Sequence, residues 1–369
     1  MLKLLQALFY NRDFNWNDIK IFRRILEDKQ FDYVAPQIYS LLKKRGLLNR
    51  VPSFFQQAVT DAAYKTLYSN MLLKADMRAL LNCFEARSIG VIPFKGTLFS
   101  EQYYGDLSAR YSRDLDILVR PEQMKTAVSI VKALGYLHEQ QEEPEHFHRV
   151  FYKHDLKTNR KSIIELHWHF LRSGTSSLHM GMIWNASLPL ANYRYIHTLS
   201  DFHMFYVICL HAWNHELNGW KHFIDIAQMI CALQHSLSYS DLLVFAKQQK
   251  TYRRIVRTLT IVYHEFPGLN EILPLPFYEK KTFWWSTNEL GRKIGPKETL
   301  PTLIKRLQQL RDYDDIKQKI IFLKREVLPD PVIMNQVIGS RSTRKPRIVQ
   351  YFYLYLKRLE YLFIRGNNK

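Results

Sequence analysis

Residues 1–88 carry apolar positions at helical spacing, clearest in Leu72, Leu73, Met77, Leu80, Leu81 and Phe84. Steps of three and four residues place such side chains on one face of a helix. Gly46 and Pro52 punctuate a helix–helix junction, and Gly90 is expected to close the last helix. The period then shortens. Val91-Ile92-Pro93-Phe94 reads as a strand entering a Lys95-Gly96 turn, Thr97–Tyr104 as a short helix stopped by Gly105, and Asp114–Val119 as a second strand. Pro121 opens a helix buried along Ala127, Ile130, Val131 and Leu134 and closed by Gly135.

Phe151–Leu156 and Ser162–Phe170, joined by the polar Lys157–Arg160 turn, predict a hairpin. The second strand alternates, with Ile164, Leu166, Trp168 and Phe170 on one side and Glu165, His167 and His169 on the other. Helical periodicity returns near Leu199 and persists, interrupted at Pro267, Pro274 and Pro276 and again at Pro329 and Pro331. The expected organisation is a helical region at 1–88, a mixed α+β core at 89–195 and a helical domain at 196–369. No internal repeat or low-complexity segment interrupts it.

Composition narrows the class. The 369 residues are 47% hydrophobic and 14% aromatic, a globular composition. A net charge of +19 favours polyanions such as nucleotides, nucleic acid or acidic headgroups. Cys83, Cys209 and Cys231 show no metal spacing and read as buried free thiols in a reducing compartment. The apolar run at Met1–Leu8 is broken by Asn11, Arg12 and Asp13, and Phe202–Trp213 is too short to span a bilayer. A soluble, cytoplasmic protein is expected.

The chemistry concentrates at one strand. Asp114 and Asp116 fall on the same face, Cα atoms roughly 6.5–7 Å apart, while Leu115, Ile117 and Val119 face the other way. Two unpaired carboxylates this close repel, a cost that a dication removes. Glu165, alone among apolar neighbours, is the candidate third carboxylate, ligating a metal and accepting a proton from an attacking hydroxyl. Gly96 lets backbone approach a phosphate, with Lys95 beside it, and Arg110 and Arg113 flank the acidic pair as candidate triphosphate contacts.

Glu165, His167 and His169 on one strand rarely close a zinc tetrahedron, so the two histidines are expected to line the cleft. His211 and His215 lie four apart on a helix, but Ala212 stands where a zincin glutamate would, which leaves a core or cleft-wall role. A P-loop, a kinase signature and a nucleophile elbow are all absent.

These segments resemble a largely uncharacterised bacterial family of the polymerase-β-like nucleotidyltransferase superfamily. The resemblance rests on Lys95-Gly96, Tyr104-Gly105-Asp106, Arg110, the Arg113–Val119 run, Leu134-Gly135-Tyr136 and Glu165-Leu166-His167-Trp168. His211, Trp220, Asp225-Ile226-Ala227 and Leu328-Pro329-Asp330-Pro331 extend it over roughly residues 70–360. It implies an α+β fold with a palm of small mixed sheet and helices. It also implies two Mg²⁺ ions and transfer of a nucleoside monophosphate from an NTP, ATP foremost, with release of pyrophosphate. Carried over, Asp114, Asp116 and Glu165 would be the metal ligands and catalytic carboxylates, and Gly96 the phosphate turn. Relatives often have Gly-Ser there; in this chain Thr97 would replace the serine hydroxyl, or Lys95 its function.

The resulting expectation is a Mg²⁺-dependent nucleotidyltransferase whose acceptor the sequence does not name. The alternative is a degenerate relative that binds nucleotide or nucleic acid without turnover. The C-terminal segment with Arg341, Arg344, Lys345, Arg347 and the Tyr351–Tyr355 aromatic run is a candidate nucleic-acid surface.

Overall fold

The alternating Asp114–Val119 segment becomes the second strand of a five-stranded sheet with those same bounds. The computed structural model describes residues 1–10, 13–138, 147–155, 160–277, 285–287, 290–291, 300–329, 334, 338 and 346–364. The strands are β1 (Val91–Phe94), β2 (Asp114–Val119), β3 (Leu137–His138), β4 (His148–Asp155) and β5 (Arg160–His167), in spatial order β1-β2-β5-β4-β3. β2 runs parallel to β5, and the other neighbours are antiparallel, so the sheet is mixed.

Helices precede and follow it. Before the sheet come α1 (Leu2–Tyr10), α2 (Ile19–Leu26), α3 (Phe31–Lys44) and the 34-residue α4 (Ser53–Ala86). Between strands lie α5 (Gly96–Phe99), continued by a π turn over Ser100–Tyr104, and α6 (Met124–Ala133). After it come α7 (Met180–Asn185), α8 (Asp201–Asn214), α9 (Trp220–Leu233), α10 (Tyr239–Gln248) and α11 (Tyr252–Glu265). Further helices are α12 (Leu269–Ile272), α13 (Leu300–Gln309), α14 (Ile316–Val327) and α15 (Arg347–Ile364). This is an α+β architecture, a small mixed sheet with flanking helices, as the resemblance implies.

The two sheet faces enter different apolar clusters. Leu115, Ile117, Val119, Ile164 and Leu166 pack with Ala127, Ile130 and Val131 of α6 and Leu73 to Phe84 of α4. Ile92, Phe94 and Leu118 join a larger cluster built from α3, α8, α9 and α11. That larger cluster draws on all three stretches, 1–88, 89–195 and 196–369. The continuous apolar run at Phe202–Trp213 is thus a buried helix, α8, capped by Ser200, whose hydroxyl accepts from the His203 N–H. No helix among the described residues is long and apolar enough to cross a membrane. The three cysteines are free; Cys209 is buried, and burial pushes its thiol up.

Three local expectations need correction. α4 is closed by Ser88 at φ 55°, not by Gly90; the Ile89 N–H reaches back to the Phe84 carbonyl across it. β5 ends at His167, short of Phe170; the Trp168 N–H still donates to the Phe147 carbonyl, the next position of the β4/β5 register, and the strand goes no further. Phe170 then packs edge-on against Phe94 in the larger cluster, apart from Ile164 and Leu166. Asn11, Arg12, most of the Lys157–Arg160 turn, Asp330, Pro331, Arg341, Arg344 and Lys345 lie outside the described residues. Of the aromatic run, Tyr351 and Tyr355 donate to the carbonyls of Pro329 and Val327, while Phe352 and Tyr353 are exposed.

One polar network ties these helices to the sheet. Asp225 on α9 accepts from Arg110 Nε at 2.9 and 3.0 Å, from the Tyr104 hydroxyl at 2.8 Å and from Gln37 Nε2 at 3.0 Å. Gln37 is on α3 and Tyr104 in the π turn, so four separate segments meet at one buried carboxylate.

Candidate active site

Parallel pairing of β2 with β5 sets Asp116 opposite Glu165 and Asp114 opposite Ile163. Paired residues share a face, as do residues two apart, so Asp114, Asp116, Glu165 and His167 all project from one side of the sheet. Asp116 is buried and the other two carboxylates are half-buried.

β1 delivers the nearest cation. Lys95 and Gly96 follow its last residue with φ of 59° and 55°. A positive φ is natural for glycine and costs a lysine roughly 1 kcal/mol or more. The turn brings Lys95 Nζ to 2.9 Å from Asp116 Oδ1 and 5.0 Å from the Phe94 ring centroid. Lys95 therefore lies on the carboxylates rather than extended from the turn. Thr97, on the first turn of α5, is buried, and its hydroxyl has no hydrogen-bond partner among the described residues.

His167 Nε2 sits between carboxylates, 3.0 Å from Asp116 Oδ1 and 3.3 Å from Glu165 Oε2. Burial, reinforced by the charges of Asp116 and Glu165, raises the Asp114 carboxyl to about 6. Burial would raise Asp116 too, but Lys95 and His167 outweigh it and hold it well below the usual carboxylate range. Burial likewise opposes ionisation of Glu165, and the His167 hydrogen bond overcomes it. For His167, desolvation favours the neutral ring, and hydrogen bonds to Asp116 and Glu165 reverse the balance.

Other candidate residues fall elsewhere. Arg110 is buried against Asp225 and stacks over Phe99, so its Nε is committed to the framework and not to a triphosphate. Arg113 is exposed. His169 leaves the cleft-lining role expected of it. Its Nε2 bonds the Leu178 carbonyl and its Nδ1 accepts from the Leu171 N–H, and burial lowers its pKa. It organises the segment after β5. His211 does line the cleft, together with Lys95, Glu165, His167 and His215.

The sequence pattern missed three contributors. His148 on β4 pairs across the sheet with His167 and brings Nε2 to 3.8 Å from Glu165 Oε2. His222 on α9 completes an imidazole cluster with His211 and His215, ring centroids 4.4 to 5.6 Å apart. Burial holds all three rings toward the neutral form, aided by Lys95 for His211 and His215 and by His215 for His222. Lys221 donates to the Tyr111 carbonyl at 2.9 Å, and burial, then Arg110, lowers its ammonium to about 8. Nothing in the local sequence joins His148, Lys221 or His222 to β2.

A family model described as an uncharacterised nucleotidyltransferase matches residues 23–268. This span contains the whole sheet, the acidic cluster and α8 through α11. No curated protein and no solved structure matches the chain.

Proposed function

The chain belongs to this uncharacterised nucleotidyltransferase family, and from that premise we propose that it transfers a nucleoside monophosphate from an NTP, ATP foremost, to a hydroxyl-type acceptor and releases pyrophosphate. Asp114, Asp116 and Glu165 would hold Mg²⁺. The observation that carries this reading is the β2/β5 register, which gathers three carboxylates on one sheet face. Adjacent strands lie about 4.8 Å apart, a separation that cations bound between carboxylates can bridge. The donor set, three carboxylates on one sheet face, suits a hard dication.

Bound Mg²⁺ would supply charge neutralisation at the phosphates and the leaving pyrophosphate. The chain supplies the rest. Glu165 accepts the proton of the acceptor hydroxyl. Lys95 balances Asp116 and offers its charge to the triphosphate, and the buried Thr97 hydroxyl donates to a phosphate oxygen. The cleft lined by Lys95, Glu165 and His167 measures about 100 Å³ and is partly open to solvent, so base and ribose would lie toward its mouth.

The test is incubation with each labelled NTP and a cell extract, with Mg²⁺ or with chelator. Label on a discrete acceptor with stoichiometric pyrophosphate, lost on chelation, supports the proposal; no label from any NTP rejects it.

One observation favours a second reading, a nucleotide-binding protein without turnover. Lys95 already pairs with Asp116 as a resident cation. Calorimetric titration of ATP separates the two readings, since binding that needs no Mg²⁺ and yields no pyrophosphate belongs to the second.

A further inference from the structure

We propose that His148, Glu165 and His167 form a cation position that takes a first-row transition-metal dication such as Mn²⁺ or Zn²⁺ in preference to Mg²⁺. The inference deepens the transferase reading, from which it takes Glu165 as a metal ligand. Two strands assemble the group. His148 on β4 is the antiparallel partner of His167 on β5, and Glu165 precedes His167 by two residues on the same face.

The spacing is slightly wider than that of a coordination shell, and the three side chains would draw together around an ion. Glu165 Oε2 is 3.3 Å from His167 Nε2 and 3.8 Å from His148 Nε2, and one ligand atom from each residue lies within 4.8 Å of the others. Donors about 2.1 Å from a shared ion stand about 3.0 Å apart at octahedral angles and about 3.4 Å at tetrahedral ones. The sequence alone offered three same-face residues of one strand; substituting His148 from the next strand for His169 removes that collinearity. Three donors from two strands can surround an ion.

Donor chemistry selects the metal. Two imidazoles and one carboxylate are a borderline-soft set, suited to transition dications, whereas Mg²⁺ favours oxygen ligands throughout. Asp114 and Asp116 are that oxygen set, one strand away. Nε2 of His167 already points to the acidic face, 3.0 Å from Asp116 Oδ1 and 3.3 Å from Glu165 Oε2, so the ring presents its ligating nitrogen where an ion would sit.

The experiment uses the full chain and metal alone, without nucleotide. Pulsed EPR of protein loaded with one equivalent of Mn²⁺ should show ¹⁴N coupling from bound imidazole, in the wild type and equally in Asp114→Asn. His148→Gln should lose part of that coupling and weaken Zn²⁺ binding at least about tenfold, with Mg²⁺ affinity held within about twofold. His148→Cys, which keeps a zinc ligand, should retain Zn²⁺. Absence of nitrogen coupling in the wild type, or unchanged Zn²⁺ affinity in a folded His148→Gln, overturns the proposal. The transferase reading fails on a different result, the absence of transfer from any NTP.

Discussion

Two carboxylate clusters in this protein are built on opposite principles. At Asp225 one carboxylate meets three partners, Arg110, Tyr104 and Gln37, and four hydrogen bonds saturate it. On the β2/β5 face three carboxylates share one lysine and two histidines. Each lies only some residues from the other in chain or space: Arg110 precedes Asp114 by four positions. A saturated buried charge is framework, because folding has already satisfied it. An undersupplied cluster retains capacity for an outside cation, and its groups have displaced proton affinities.

The sharpest way to break this contrast is at the saturated cluster. Asp225→Ala leaves the Arg110 guanidinium buried without its partner and should cost about 3–5 kcal/mol of stability, read from the urea midpoint. A cost below about 1 kcal/mol would show that the network is not what joins α3, the π turn and α9.

Asp116→Asn probes the other side. Transfer should fall by about 10²–10³-fold, equivalent to roughly 3–4 kcal/mol in the barrier. Stability should fall too, by about 1–3 kcal/mol, since Lys95 and His167 lose the buried carboxylate they pair with and the relieved repulsion with Asp114 and Glu165 offsets only part of that loss. Full activity in Asp116→Asn would reject its assigned role, and loss of folding would make the acidic face framework as well.

Lys221 stands between the clusters, and pH resolves its part. Its ammonium pKa is lowered to about 8 from an ordinary 10.5. A lysine with a lowered folded pKa penalises the folded state while charged. That penalty is complete below pH 8 and fades as pH rises toward 10.5. Lys221→Met should therefore stabilise the protein at pH 7, with the gain vanishing near pH 10.5 in denaturant titrations at each pH. A gain independent of pH would mean that packing, not charge, is responsible.

What the sequence makes legible here is local. β1, β2, the turn between Phe94 and Thr97, and the hairpin follow from two-residue alternation and glycine placement, and Asp114, Asp116 and Glu165 stand out as acids among apolar strand residues. What it hides is pairing at distance. Arg110 looks like a phosphate ligand until Asp225, 115 residues later, is seen to hold it. His169 looks like a companion of His167 until the strand ends between them. His148 becomes significant only through the β4/β5 register. Alternation assigns faces, and strand neighbours decide partners.

The smallest expected effect bears most directly on the phosphate turn. Buried hydroxyls such as Tyr104 and Thr258 are hydrogen-bonded, whereas the buried Thr97 hydroxyl beside the Gly96 turn, like those of Ser112 and Thr260, has no partner among the described residues. An unsatisfied buried hydroxyl costs about 1–3 kcal/mol, so Thr97→Val should leave stability unchanged or raise it by up to about 1 kcal/mol. The same substitution should weaken ATP binding roughly five- to tenfold, because one hydrogen bond to a phosphate oxygen is worth about 1 kcal/mol. The two effects have opposite signs, which a simple packing defect does not produce. Higher stability with unaltered ATP affinity would make Thr97 an unfilled hydrogen-bonding position of the core and would leave the Gly96 turn without its side-chain donor.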